Sequence, residues 1–342
     1  MQKIIINGRF LLHKVTGVER FAREMLLELD NIIIPGEIEI AIPPETVSVP
    51  DYKNISIVRV GKLHNRAWEH LSFPRYVKRE NGISLNLCNV APLLDPGIVC
   101  IHDVKIKARP KDFRISFRIW YNILFLNTCK RAKKIITVSN FSKREIEKYY
   151  NVNPKRIVVI PNAWQHYERT GYDDNALEKY GLEKKQYYFS MCSLEPNKNF
   201  SWIAKAAKNN SESIFATAGS INSTVFSEGF GFERPDNMKL LGYVSDEEAK
   251  SLMRDCKAFL FLAFYEGFGI PPLEAISAGC KNVLVSDIEV MHEVYGDAVN
   301  YVDPNDSTID ILGFPQHDTS ELLERYSWEK SAKILLGIIR GL

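Results

Sequence analysis

Short apolar runs alternate with longer stretches of helical period along the whole chain. Lys3 to Ile6 predicts a strand. Gly17 to Leu29 predicts a helix, because Val18, Phe21, Met25, Leu26 and Leu29 fall on one face and Thr16 precedes them as an N-cap. Ile38 to Ile42, Ile55 to Val60, Ser84 to Cys88 and Ile98 to His102 predict further strands. Ile115 to Arg131 predicts a helix, Lys134 to Val138 a buried strand, Asn140 to Tyr150 a helix and Ile157 to Ile160 a strand. Pro161 to Asp174, rich in Pro, Asn, Gly and Asp, breaks the rhythm and reads as a linker.

The rhythm then restarts. Strands are expected at Tyr187 to Cys192, Ile214 to Ala218, Lys239 to Leu241, Ala258 to Leu262 and Asn282 to Ser286. Helices are expected at Phe200 to Ala207, Asp246 to Asp255, Pro272 to Ala278 and Glu324 to Ile339. Strands alternating with helices predict an α/β fold with parallel sheets wrapped by helices. Two such series predict two Rossmann-like domains facing across a cleft, residues 1–164 and 165–323. Ligands of open α/β sheets bind beyond the carboxyl ends of strands, so the functional residues are expected just after them.

Composition narrows the classes. The 342 residues are 45% hydrophobic and 25% charged, as in ordinary globular proteins. Lys plus Arg (44) almost balances Asp plus Glu (42), and a net charge of +2 gives no nucleic-acid signature. The six cysteines form no CxxC pair, which points to buried thiols rather than a zinc site or disulfide framework. The opening Met1 to Gly8 has too short an apolar run for a signal peptide, and no stretch approaches the roughly 18 apolar residues of a membrane span. The expectation is a chain kept on the cytoplasmic side.

The densest chemistry follows the Ala258 to Leu262 strand, in Phe264-Tyr265-Glu266-Gly267-Phe268-Gly269-Ile270-Pro271-Pro272-Leu273-Glu274-Ala275. A glycine-containing loop runs into a helix expected to open near Pro271 or Pro272, where proline costs no hydrogen bond. Backbone N–H groups of Gly267, Phe268, Gly269 and Ile270, with the helix N-terminus, suit a diphosphate. Glu266 can accept hydrogen bonds from sugar hydroxyls, and Glu274, in the first helical turn, from a ribose diol. From spacing alone, a solvated Glu266 and a Glu274 that merely complements the helix dipole are equally good readings.

The run from Glu266 to Gly279 resembles the signature of glycosyltransferase family 4, a retaining family of the GT-B fold. The similarity extends along the chain: Asn7-Gly8-Arg9-Phe10, Thr16-Gly17-Val18-Glu19-Arg20-Phe21, Ile101-His102-Asp103, Thr137-Val138-Ser139-Asn140-Phe141-Ser142-Lys143, Ile160-Pro161-Asn162, Glu195-Pro196-Asn197-Lys198-Asn199 and Leu241-Gly242-Tyr243-Val244. The resemblance implies a GT-B architecture with acceptor bound by the first domain and nucleotide sugar by the second. It also implies that residues 324–342 carry a helix crossing back to the first domain.

It implies roles too. Lys198 neutralises the donor diphosphate, in a segment where the family commonly has Pro-Arg-Lys-Asn and this chain has Asn197 for the Arg. His102 faces the transferred sugar, with Asp103 as a further candidate; the alternative is a core histidine bonded to a backbone carbonyl. Gly17 lets the donor phosphate or acceptor come close, or is a plain turn. Tyr243 and Val244 present backbone groups to the base. The implied reaction is transfer with retention by front-face attack, in which the leaving phosphate takes the acceptor proton. No nucleophilic carboxylate stands out near His102, and no Asp-x-Asp motif is present, so neither cofactor nor metal is expected.

Many bacterial members of the family build O-antigen or capsule on a lipid-diphosphate carrier. The implied partners are therefore a nucleotide sugar, with UDP-sugars favoured and GDP-mannose or dTDP-rhamnose as alternatives, and a lipid-linked saccharide. Lys105, Lys107, Arg109, Lys111, Arg114 and Arg118, interleaved with Phe113, Phe117, Trp120 and Tyr121, suit either the anionic cytoplasmic face of an inner membrane or a solvated helix over a core. A UDP-sugar epimerase of the same architecture and a non-catalytic sugar-nucleotide binder are the competing function classes.

Overall fold

The structure, a computed structural model, describes residues 2–192, 195–219, 234–308, 311 and 313–341. It divides into two compact units, Met1–Asn162 with Ser327–Leu342, and Ala163–Tyr326.

The first unit holds a sheet of seven described strands: β1 Ile4–Asn7, β2 Ile38–Ile42, β3 Ser56–Arg59, β4 Ile83–Asn86, β5 Ile98–Cys100, β6 Lys134–Thr137 and β7 Ile157–Val159. Their order is β3-β2-β1-β4-β5-β6-β7, every pairing parallel. β1, at the centre of the sheet, is buried along its whole length, which is why Ile4 to Ile6 reads as an unbroken apolar run. Strand order reverses between β1 and β4, so loops leaving their carboxyl ends diverge there and open a crevice.

Helix Gly17–Ile32 buries Phe21, Met25, Leu26 and Leu29. Its first turn is closed by the Glu19 carboxylate, which accepts from the Thr16 amide at 3.2 Å. Helix Trp328–Arg340 packs against it, with Phe21 and Trp328 edge to face at 6.0 Å. Ser331 Oγ donates to the Pro161 carbonyl at 2.8 Å, and Arg340 pairs with Glu37 at 3.0 Å.

The segment between Val60 and Ser84, to which the hydrophobic pattern assigned nothing, is helical. Asn65–Ala67 and Phe73–Arg79 are α-helical, and the turn between them, Trp68–Ser72, is a π-helix. Trp68 anchors that turn, buried and donating its indole N–H to the Val60 carbonyl at 2.7 Å. The extra residue per turn dephases the apolar positions, so no 3.6-residue period shows in the sequence.

The second unit repeats the plan with β8 Tyr187–Met191, β9 Ile214–Ala218, β10 Met238–Gly242, β11 Ala258–Phe261, β12 Val283–Ser286 and β13 Asn300–Val302. The order among the described strands is β10-β9-β8-β11-β12-β13, again all parallel, with the reversal between β8 and β11. Tyr188, Phe200, Trp202, Phe215, Leu260 and Leu284 are among the residues packed in its core.

Two local expectations change. The stretch read as a linker contains a short helix, His166–Arg169, whose His166 and Tyr167 are buried in the second unit. The helix expected over Glu324 to Ile339 is two helices, Ser320–Arg325 and Trp328–Arg340. Ser327 separates them in an extended conformation and caps the second, its Oγ accepting from the Lys330 amide at 3.3 Å.

Candidate functional site

In the second unit, the loops after β8 and β11 leave the sheet at its reversal point and meet. Asn197, on the first loop, is buried. Its carbonyl accepts from the Phe264 amide at 2.9 Å, and its side-chain amide donates to the Tyr265 carbonyl at 2.8 Å. Asn197, standing where the family commonly carries a cation, thus stitches the two loops together. Next to it, Lys198 Nζ lies 2.6 Å from Glu266 Oε1 and 5.5 Å from the centre of the Phe261 ring. Burial pulls the Lys198 ammonium down, but the adjacent Glu266 outweighs it and leaves the group above its ordinary value. The lysine therefore stays charged at the mouth of the sheet.

Beyond Glu266, the chain passes through Gly267 and Phe268 to Gly269, the N-cap of helix Ile270–Ser277. Gly269 has φ +84°, and a Cβ there would lie 2.7 Å from Met291 Cε. Both the backbone and the packing demand glycine. The Tyr295 hydroxyl, kept protonated by burial, donates to the Gly269 carbonyl and accepts from the Leu273 amide at 3.2 Å. Phe268 packs edge to face on Tyr326 at 5.2 Å. The loop is rigidly held from several sides, as an anion cradle must be if its N–H groups are to stay aimed.

Because the helix begins at Ile270, Glu274 falls in its second turn rather than its first. Its side chain is buried, and Oε1 lies 2.8 Å from Nε2 of His166. No motif reveals this partnership, since His166 sits in the stretch that looked like a linker. Tyr243 and Val244 follow β10 directly; Tyr243 is 72% exposed and Val244 buried.

The first unit holds the other sequence candidates. His102 follows β5 and is buried, with Nε2 2.8 Å from the Leu87 carbonyl and 3.4 Å from Cys100 Sγ. The carbonyl requires a proton on Nε2 and leaves Nδ1 as the acceptor nitrogen of a neutral ring. Burial holds its pKa below the ordinary value. The Leu87 carbonyl thus fixes the orientation of the ring through Nε2. Asp103 Oδ1 accepts from the Lys105 amide at 2.9 Å and closes a turn. Gly17 is exposed and is the first residue of its helix.

The crevice at the β1/β4 reversal is a cavity of about 240 Å³ whose lining includes Asn7, Arg9, Glu69, Asn89 and Tyr121. Glu69 is buried, and its carboxylate accepts from Asn7 Nδ2 at 2.8 Å and from Arg9 Nη1 at 3.3 Å. Sequence reasoning missed Glu69 because the π-turn that carries it has no periodic signal.

The basic and aromatic stretch is partly internal. Phe113 stacks on Phe117 at 5.7 Å, Phe117 lies against Tyr121 at 4.3 Å, and Tyr121 meets Phe125 edge to face at 6.0 Å. Arg109 pairs with Asp112 at 2.6 Å. Helix Ile115–Arg131 nonetheless leaves Ile115, Ile119, Ile123 and Leu126 exposed at helical spacing. Among the described residues, no helix is long and apolar enough to cross a membrane.

Known glycosyltransferases match the sequence of both units. A model of glycosyl transferases group 1 matches residues 173–310, and a model of glycosyltransferase family 4 matches residues 88–164. The O-antigen chain mannosyltransferase RfbU of Salmonella typhimurium is 31% identical over 221 residues, covering 63% of this chain and 59% of that protein. O-antigen chain mannosyltransferase B of Escherichia coli is 30% identical over 230 residues, covering 62% of this chain and 58% of that protein. The chain thus spans under two thirds of the length of these relatives.

Among solved structures, sucrose-phosphate synthase from Thermosynechococcus elongatus matches with a TM-score of 0.71 at 12% identity, covering 100% of this chain and 99% of that one. Anabaena Alr3699/HepE, crystallised with UDP and glucose, matches at 0.70 and 13% identity, covering 100% of both chains. At such identities the likeness speaks for the fold, two parallel-sheet α/β units of the GT-B class. The chain carries two glycosyltransferase matches, family 4 over residues 88–164 and group 1 over residues 173–310.

Proposed function

We propose that this chain transfers a hexose or N-acetylhexosamine, with retention, from a nucleotide sugar to a lipid-diphosphate-linked saccharide in the assembly of a surface polysaccharide. The observation that carries the reading is the Lys198–Glu266 pair at the strand-order reversal, directly before a glycine-capped helix N-terminus. In this reading the N–H groups of Gly267 to Ile270 and the Lys198 ammonium hold the leaving diphosphate. Glu266 orients the transferred sugar, and Glu274, steadied by His166, offers its second oxygen to the ribose. Tyr243 and Val244 contact the base. His102, Asp103 and Gly17 serve the sugar and acceptor in the first unit. Catalysis is then orientation plus stabilisation of the departing diphosphate, which itself takes the acceptor proton.

UDP-sugars remain the favoured donors on the sequence pattern. The mannosyltransferase names of the two relatives favour GDP-mannose, and a further relative from Escherichia coli, 27% identical over 206 residues, is named a UDP-Gal:α-D-GlcNAc-diphosphoundecaprenol α-1,3-galactosyltransferase. A thermal-shift panel of UDP, GDP and dTDP decides the base, since only a ligand of the folded state raises apparent stability. No shift with any of the three removes the reading.

Peripheral attachment to the cytoplasmic face of the inner membrane belongs to the same proposal. Its support is the exposed Ile115, Ile119, Ile123 and Leu126 stripe, with Arg114 and Arg118 on the same helical segment.

A further inference from the structure

The crevice of the first unit continues into a second recess of about 130 Å³, lined in part by Arg9, Arg66, His70, Trp120 and Tyr121. The two ends differ chemically. In the first, Asn7, Arg9 and Glu69 satisfy one another. In the second, hydrogen-bonding groups are left over. Both ring nitrogens of His70 and Nε of Arg9 are buried with no partner. The Arg66 guanidinium stands over the Trp120 ring at 5.8 Å, and no carboxylate pairs with it among the described residues. His70 meets the same ring edge to face at 6.1 Å.

Buried polar groups left unpaired cost stability, so a native fold that keeps several together has a use for them. Glu69 and His70, which both line this recess, lie on the π-turn Trp68–Ser72, and such turns are frequent at functional sites. Both guanidinium groups donate only, and the neutral imidazole adds one N–H. The carboxylate that would otherwise answer them, Glu69, is already taken by Asn7 and Arg9. What fits is a ligand of acceptor oxygens carrying negative charge.

We propose that this recess binds a phosphate of the acceptor, with Arg66, His70 and the Arg9 Nε donating to its oxygens and Trp120 and Tyr121 flanking it. The proposal rests on the transferase reading and sharpens it: acceptor is recognised by an oxyanion next to its saccharide. It assigns Arg66 and His70 to acceptor specificity, while leaving donor binding to the second unit.

The test uses the full chain saturated with whichever nucleoside diphosphate stabilises it, so that the second unit's anion site is filled. Inorganic pyrophosphate, a hexose 1-phosphate and the matching methyl hexoside are then titrated calorimetrically. Pyrophosphate and the sugar phosphate are expected to bind and the methyl hexoside not. Arg66→Ala and His70→Ala should each weaken pyrophosphate about tenfold or more, roughly the loss of one charge-assisted hydrogen bond, with the nucleotide-induced thermal shift unchanged. That unchanged shift also reports that the variants are folded. In transfer assays with a lipid-diphosphate-linked acceptor, Arg66→Ala should raise the acceptor KM with little change in kcat. Equal pyrophosphate binding by variants and parent, or equal binding of the uncharged hexoside, overturns the site. Weakened pyrophosphate with an unchanged acceptor KM overturns its assignment to the acceptor. Failure of the nucleotides to bind at all would instead strike the transferase reading; pyrophosphate is then titrated against the chain alone, with a thermal melt reporting that the variants are folded.

Discussion

Lys198 Nζ and Glu266 Oε1 stand 2.6 Å apart although 68 residues separate them in the chain. Each follows a central strand of the second sheet, and the strand-order reversal between β8 and β11 is what brings them together. The pair is only partly exposed, and the Glu266 carboxylate keeps the Lys198 ammonium above its ordinary value against the pull of burial.

Replacing Glu266 with Gln keeps the shape and removes the charge. Transfer is expected to fall about 100-fold or more in kcat, the usual scale for a group that acts on developing charge. With its partner neutral, Lys198 also loses what opposes its burial, so its pKa falls. Steady-state kinetics on the purified variant, beside a melt showing that it folds, check this. Unchanged kcat would take Glu266 out of the mechanism.

Gly269→Ala adds a Cβ where φ is +84° and where Met291 Cε lies 2.7 Å away. Strain and overpacking together should cost about 1–3 kcal/mol of stability. The loop that is proposed to hold the diphosphate must shift to relieve them. A lowered denaturant midpoint, with nucleotide affinity falling alongside it, is the expected result.

His102 gives a pH signature. Its folded-state pKa is depressed from the ordinary 6.5 by burial, so the unfolded chain binds the proton more readily. The stability it contributes is full above about pH 6.5 and is lost as pH falls below that toward the folded pKa. Urea midpoints measured at pH 7.5 and 5.5 should therefore drop at the lower pH. The drop should shrink in His102→Gln, which cannot titrate. An equal drop in both proteins would assign the pH response to other groups.

The exposed stripe on helix Ile115–Arg131 makes a separable prediction. Ile119→Asp combined with Ile123→Asp should reduce co-sedimentation with anionic phospholipid vesicles several-fold. Both side chains face solvent, so the melting temperature should barely move. Vesicle binding that persists at the parent level would remove this helix as the contact.

Within each unit, what lies close to the surface of the sequence is what depends on local period and local chemistry. Ile4 to Ile6, Ile135 to Ile136 and Val283 to Val285 announce themselves as buried parallel strands because both faces must be apolar. The Glu266 to Glu274 motif declares its loop and helix because glycine and proline restrict backbone geometry wherever they occur. His102 shows the limit: the chain places it just beyond a strand, but only the fold sets Nε2 against the Leu87 carbonyl and so selects the tautomer.

The amino-acid order by itself determined the alternation of strand and helix, the family to which the motifs point, and the chemical make-up of the glycine loop after β11. Tertiary structure alone decided the partnerships. Glu274 is held by His166 from 108 positions away, and Asn197 ties two loops instead of supplying a charge. Glu69, on a π-turn silent in the hydrophobic period, meets Asn7 and Arg9 from 62 and 60 positions away. The reason is physical: backbone conformation is set mostly by neighbours along the chain, whereas the pairing of buried polar groups is set by whichever strands the sheet brings side by side.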